Sequence, residues 1–265
     1  MTKTVPTIVL SLALASLATT SLADITYLYD DGAGNTNQGP PSSFDPDMLW
    51  LNYFEAQPGG ELINQISAAF GATWPTGGTV TFWVFEDSDD DFNPDTNSAP
   101  LTSVTRQVSE LNLGLNAFND IPVTPVEVSG GFFVGVSCFL DGGADRPARV
   151  DTNARADRSW FYYAPDIKSI AGNLASAPFR SRMDNTANVV FPGAFMIRAN
   201  GTAVPPPNCP GDTNADNQID AADLSVLLAQ FGTSVTPGTG ADFNDDGQVN
   251  SADLSVLLSA FGTAC

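Results

Sequence analysis

From residue 24 to about residue 204 the chain is built of short apolar runs cut by Gly, Pro, Asn and Asp. "GGTVTFWVFED", "GFFVGVSCFL", "RSWFYYAP" and "GAFMIRANGTAV" are the clearest, and each is rich in β-branched or aromatic residues, the signature of strands. Earlier candidates are "ITYLYD", "MLWLNYFEA" and "ELINQISAAFG". In "GFFVGVSCFL" a two-residue period puts Phe132, Val134, Val136, Cys138 and Leu140 on one face. Phe133, Gly135, Ser137 and Phe139 fall on the other, so both faces are apolar enough to be covered. Trp50 and Trp83 sit inside such runs and are expected in the core. Eight to ten strands with no long helical pattern predict an antiparallel, jelly-roll-like β-sandwich. "ELINQISAAF" also reads as one short helix, because Leu62, Ile66 and Phe70 recur every four residues.

The pattern changes at Pro205–Pro207. The last 61 residues hold eight Asp and no Lys, Arg or Glu, which together with the stiff proline run marks a domain boundary. The expected division is 1–23, 24–204, a linker at 205–208, and 209–265. The final segment is a tandem repeat: Asp212–Gly232 and Asp242–Gly262 agree at 13 of 21 aligned positions. Each copy is a twelve-residue acidic loop running into an amphipathic helix. Leu224, Leu227, Leu228 and Phe231 form one stripe, mirrored by Leu254, Leu257, Leu258 and Phe261. The two stripes are expected to pack against each other, with Gly232 and Gly262 ending the helices.

Within the loops, oxygen-bearing side chains stand at places one, three, five, nine and twelve. They are Asp212, Asn214, Asp216, Asp220 and Asp223 in the first loop, and Asp242, Asn244, Asp246, Asn250 and Asp253 in the second. Gln218 and Gln248 offer main-chain carbonyls at the seventh place. Hard oxygens at this spacing wrap a calcium ion, whereas magnesium demands tighter geometry and keeps its waters. The sixth place needs a sharp turn, which suits Gly247 and, next best, Asn217. Two such loop–helix units without an incoming helix, ending in Asp at the twelfth place, resemble a type I dockerin domain over about Cys209 to Cys265. The resemblance implies two calcium ions on these twelve residues and a cohesin-like partner on a scaffold or cell surface. It also implies a parent protein that works in polysaccharide breakdown.

Charge narrows the field. There are 30 acidic against 10 basic residues and no histidine, a net charge of −20. Nucleic acid and anionic membranes both need a cationic face, so neither is an expected partner. Without imidazole there is no Ser-His or Cys-His pair, and the commonest zinc ligand is missing. The first 23 residues read as a secretory signal with Lys3 at the front, an apolar centre from Ile8 to Ala18, and cleavage near Ala23. The apolar run is short for a membrane anchor, and the mature protein is expected to be secreted or at the cell surface. In that oxidising setting Cys209 and Cys265 are expected to form a disulfide, and Cys138 to be a small buried hydrophobe.

The sandwich holds weaker signals. Asp87, Asp89, Asp91 and Asn93 alternate in "EDSDDDFNPD", which reads either as a third calcium site near residues 87–95 or as a solvated loop. Trp74, Trp160 and Tyr162 are candidate stacking platforms for sugar rings, or else core residues. Glu55 and Glu61 offer a carboxylate pair of a kind any acidic chain provides. The sequence therefore reads as a calcium-dependent docking module carrying a sandwich that binds carbohydrate or a surface polymer. The alternatives are a glycoside hydrolase or lyase with carboxylate catalysis, and a structural envelope protein.

Overall fold

The computed structural model describes residues 24–40, 46–73, 78–96, 98–140, 145–204, 209–214 and 216–265, with the backbone alone at 72 and 73. The signal segment, Trp74 and the linker at 205–208 lie outside the described residues. The chain divides into two compact units between Val204 and Pro205.

In the larger unit the first strands are β1 (Ile25–Tyr27), β2 (Thr36–Gln38), β3 (Asp47–Glu55), β4 (Leu62–Thr73), β5 (Thr79–Asp87) and β6 (Pro100–Gln107). They are followed by β7 (Phe118–Glu127), β8 (Gly131–Phe139), β9 (Arg146–Asp151) and β10 (Ser159–Ala164). The short helix α1 (Ile167–Ile170) precedes β11 (Phe179–Arg182), β12 (Ala194–Phe195) and β13 (Ile197–Thr202). Among the described residues these strands form two antiparallel sheets. One runs β11-β10-β3-β8-β5-β6, and the other β1-β13-β4-β9-β12, with β2 on β9 and β7 on β4. From β6 to β10 the chain switches sheets at every step, which gives the sandwich its jelly-roll-like character.

The core lies between the sheets. Phe132, Val134, Val136 and Cys138 of β8 and Trp50 of β3 meet Ile66, Phe70, Val150, Phe195 and Ile197 from the opposite sheet. Cys138 is free and buried, and burial raises its thiol well above the usual range. The outer face of the six-stranded sheet is covered as well: Leu49, Leu51, Trp83, Phe133 and Tyr162 pack beneath Ile167, Ala171 and Leu174. "ELINQISAAF" is strand β4, not a helix. Residues i, i+4 and i+8 share one face of a strand as readily as one side of a helix, so that spacing alone does not discriminate.

One buried polar residue ties the sheets together. Asn52 of β3 donates from Nδ2 to the carbonyls of Phe195 (2.8 Å) and Ile197 (3.1 Å) in the opposite sheet, and its Oδ1 accepts from Ser159 Oγ at 2.6 Å. Removing one partner from a buried network leaves the others unsatisfied. Asn52→Ala is expected to destabilise the sandwich by about 2 kcal/mol, measured as a lower urea midpoint at unchanged slope.

The smaller unit contains α2 (Ala221–Gln230) and α3 (Ser251–Ser259). Its core is small: Ile219, Leu227, Ala241, Val249 and Leu257. Each loop is laced to the segment that follows the other helix. Ile219 N donates to Thr263 O and Gly262 N to Ile219 O, while Val249 N donates to Thr233 O and Gly232 N to Val249 O. The Cys209–Cys265 disulfide closes the unit. Only part of each helix stripe is covered, contrary to the expected packing. Leu227 and Leu257 are buried, but Leu228 and Leu258 are 57% and 54% exposed, and Phe231 and Phe261 are also exposed. A periodic stripe states which residues share a side, not what covers it.

Candidate functional site

The two acidic loops fold alike. In the first, Asp212 accepts from Asp216 N (3.3 Å) and Asn217 N (2.9 Å), and Asp216 accepts from Gln218 N (2.9 Å). In the second, Asp242 accepts from Asp246 N (3.2 Å) and Gly247 N (2.8 Å), and Asp246 accepts from Gln248 N (2.8 Å). The backbone turns at the sixth place, where Asn217 has φ +64° and Gly247 φ +79°. Glycine takes that conformation at no steric cost, and Asn is among the few other residues that tolerate it.

The twelfth-place carboxylates are fully buried and do two jobs. Asp223 accepts from Thr213 N (2.7 Å), Asn214 N (3.3 Å) and Asp220 N (2.8 Å). Asp253 accepts from Phe243 N, Asn244 N and Asn250 N at matching distances of 2.9, 3.3 and 2.8 Å. With Asp220 and Asn250 as N-caps they complete a capping box on each helix. Burial alone raises the Asp223 carboxyl, but the N–H donors from Asp220, Thr213 and Asn214 outweigh it and hold the group below the ordinary carboxylate range. The Asn244 side chain and the Gln248 N–H do the same for Asp246. Both loops thus gather carboxylate and amide oxygens on a fixed backbone at a helix start, a donor set fitted to a hard divalent cation.

Residues 210–261 match the Dockerin type I domain family. No curated protein matches the chain. The dockerin match covers the repeat and leaves the sandwich without a family.

In the sandwich, the oxygens of Asp87, Asp89 and Asp91 lie within 4.8 Å of one another. Burial pushes the Asp87 carboxyl up to about 6, against a hydrogen bond from Phe92 N and with the Asp89 and Asp91 carboxylates adding to the rise. The aromatic platforms fare differently. Tyr162 is fully buried and its hydroxyl donates to Pro94 O at 2.5 Å, so it presents no face to a sugar. Trp160, on the same side of β10, is half-buried and donates from Nε1 to Phe92 O at 3.1 Å. Both hold the acidic loop rather than a ligand in these contacts. The remaining face of Trp160 borders a shallow cleft with Asn93, Arg180, Arg182 and Asp184. Asp151 accepts from Asp31 N and Asn153 N at the end of β9. Glu55 ends β3 and is exposed, and Glu61 accepts from Gly59 N across a turn.

Proposed function

We propose that this is an exported protein whose C-terminal dockerin unit binds two calcium ions and docks onto a cohesin-type partner on a scaffold or cell surface. One ion sits on Asp212, Asn214, Asp216, Asp220, Asp223 and the Gln218 carbonyl. The other sits on Asp242, Asn244, Asp246, Asn250, Asp253 and the Gln248 carbonyl. The observation that carries the docking role is the duplicated exposed pair, Leu228 with Phe231 and Leu258 with Phe261, on helices whose starts the acidic loops fix. Apolar side chains left uncovered on so small a unit favour association with a partner. The sandwich is the cargo, a binding module for carbohydrate or a surface polymer, and the cleft beside Trp160 is the place we assign to that ligand. Attachment raises the local concentration of the sandwich at its target without chemistry of its own.

The test is capture of the full chain on a panel of immobilised type I cohesins, in calcium and in chelator. Binding in calcium alone is expected. Leu228→Asp with Leu258→Asp is expected to weaken it by about 2 kcal/mol or more while leaving helical circular dichroism intact. Capture by no cohesin would leave the repeat as a calcium-stapled structural cap. In parallel, depletion of the protein onto insoluble polysaccharide without new reducing ends supports the binding role, and release of reducing ends would make the sandwich a hydrolase or lyase.

A further inference from the structure

The loop between β5 and β6 repeats the architecture of the two dockerin loops inside an unrelated fold. Counting from Asp87 as the first place, the third and fifth are Asp89 and Asp91, the seventh Asn93, the ninth Asp95 and the twelfth Ser98. The backbone agrees at several places. Asp87 accepts from Phe92 N (3.1 Å), five residues on, as Asp212 does from Asn217 and Asp242 from Gly247. Asp91 accepts from Asn93 N (2.7 Å), two residues on, as Asp216 does from Gln218 and Asp246 from Gln248. At the sixth place Phe92 has φ +63°, beside +64° at Asn217 and +79° at Gly247. At the fourth place Asp90 has φ +53° and Asp245 φ +60°. The twelfth-place Ser98 Oγ accepts from the ninth-place Asp95 N at 3.2 Å, the bond that Asp223 accepts from Asp220 N.

Shape alone does not make a site. The independent observation is Asp87 itself, 2% exposed, whose Oδ1 is buried with no hydrogen-bond partner among the described residues. An unsatisfied buried carboxylate oxygen is costly, and the Asp87 carboxylate also brings an oxygen within 4.8 Å of oxygens from Asp89 and Asp91. A bulky residue at positive φ is also unfavourable, yet Phe92 is held there from several sides. Its carbonyl accepts from Trp160 Nε1, its ring meets Tyr53 edge-on, and Arg158 lies 4.1 Å from its centroid. Tyr162 holds Pro94 and Gly131 N donates to Asp90 at 2.6 Å. The sandwich thus builds from outside the turn that the dockerin loops obtain from Asn217 and Gly247.

We infer that the β5–β6 loop is a third calcium site, with Asp87, Asp89, Asp91, the Asn93 carbonyl and Asp95 as ligands. Calcium fits this donor set because it accepts many hard oxygens in flexible geometry. The twelfth place contributes a hydroxyl rather than a carboxylate, so this site is weaker than the dockerin pair. The inference rests on sandwich residues alone and does not depend on any docking partner.

Terbium, a luminescent stand-in for calcium, separates the sites. Trp160 lies against the proposed site, and residues 209–265 contain neither Trp nor Tyr. Excitation of tryptophan in the full chain is expected to give terbium emission that calcium displaces and that survives Asp212→Ala with Asp242→Ala. Asp87→Asn is expected to lower terbium affinity for this signal by about 10-fold or more. Asp89→Asn, at an exposed position, is expected to do the same without disturbing the core. Calcium should also raise the melting temperature of the sandwich in the wild type and not in Asp89→Asn. Emission unchanged in both variants, or emission lost with the dockerin-loop variant, would overturn the assignment.

Discussion

Asp223→Ala and Asp253→Ala are each expected to unfold the dockerin unit at calcium concentrations that keep the wild type folded. Each carboxylate is buried, accepts from three backbone N–H groups, completes a capping box and stands at the twelfth place, where we propose that it ligates calcium. Its loss leaves several donors unsatisfied and an ion under-coordinated, together about 3–5 kcal/mol. A unit whose core is five side chains has little else to draw on. Asp216→Ala, at an exposed fifth place, is expected to cost less. Circular dichroism at 222 nm reports this in the full chain, because among the described residues α2 and α3 carry most of the helix. If all three variants melt like the wild type in saturating calcium, the ligand assignment is wrong.

Opening the Cys209–Cys265 bond is the second large effect. The cysteines are 56 positions apart, and in the chain-entropy model a loop of that length is worth about 4 kcal/mol. The bond reinforces a C-terminus already held to the first loop, where Cys265 N donates to Asn217 O at 3.0 Å. Cys209→Ser with Cys265→Ser is expected to lower the urea midpoint of the dockerin unit sharply and raise the calcium needed to fold it. The sandwich transition should not move. An unchanged dockerin midpoint would mean that calcium alone closes the unit.

The strands of the sandwich were legible because a sheet covered on both faces leaves a two-residue pattern of uniform apolarity, as at Phe132 to Cys138. What escaped was phase. A register shift between Ile63 and Gln65 turns both Ile63 and Ile66 inward, and no side-chain period announces a bulge. The two acidic loops were legible from spacing alone, since their oxygen-bearing side chains are local in sequence. The exposure of Leu228 and Leu258 was not, because it depends on how little of the small unit remains to cover them. For Trp160 and Tyr162 the sequence left platform and core both open, because the partners of their polar tips, Phe92 and Pro94, stand 68 positions earlier in the chain. In the β5–β6 loop, Asp95 and Ser98 stand at the ninth and twelfth places, but no helix follows to mark where such a loop would end.

The central claim is that calcium builds the docking unit, and hydrogen exchange of the full chain in calcium and in chelator tests it most directly. In calcium the amides of Asn217, Ile219, Gly247 and Val249 should exchange slowly, and in chelator they should exchange at once as the crowded carboxylates repel one another. The amides of Val134 and Val136 in β8 should stay protected in both. Equal protection of residues 209–265 with and without calcium would contradict the account.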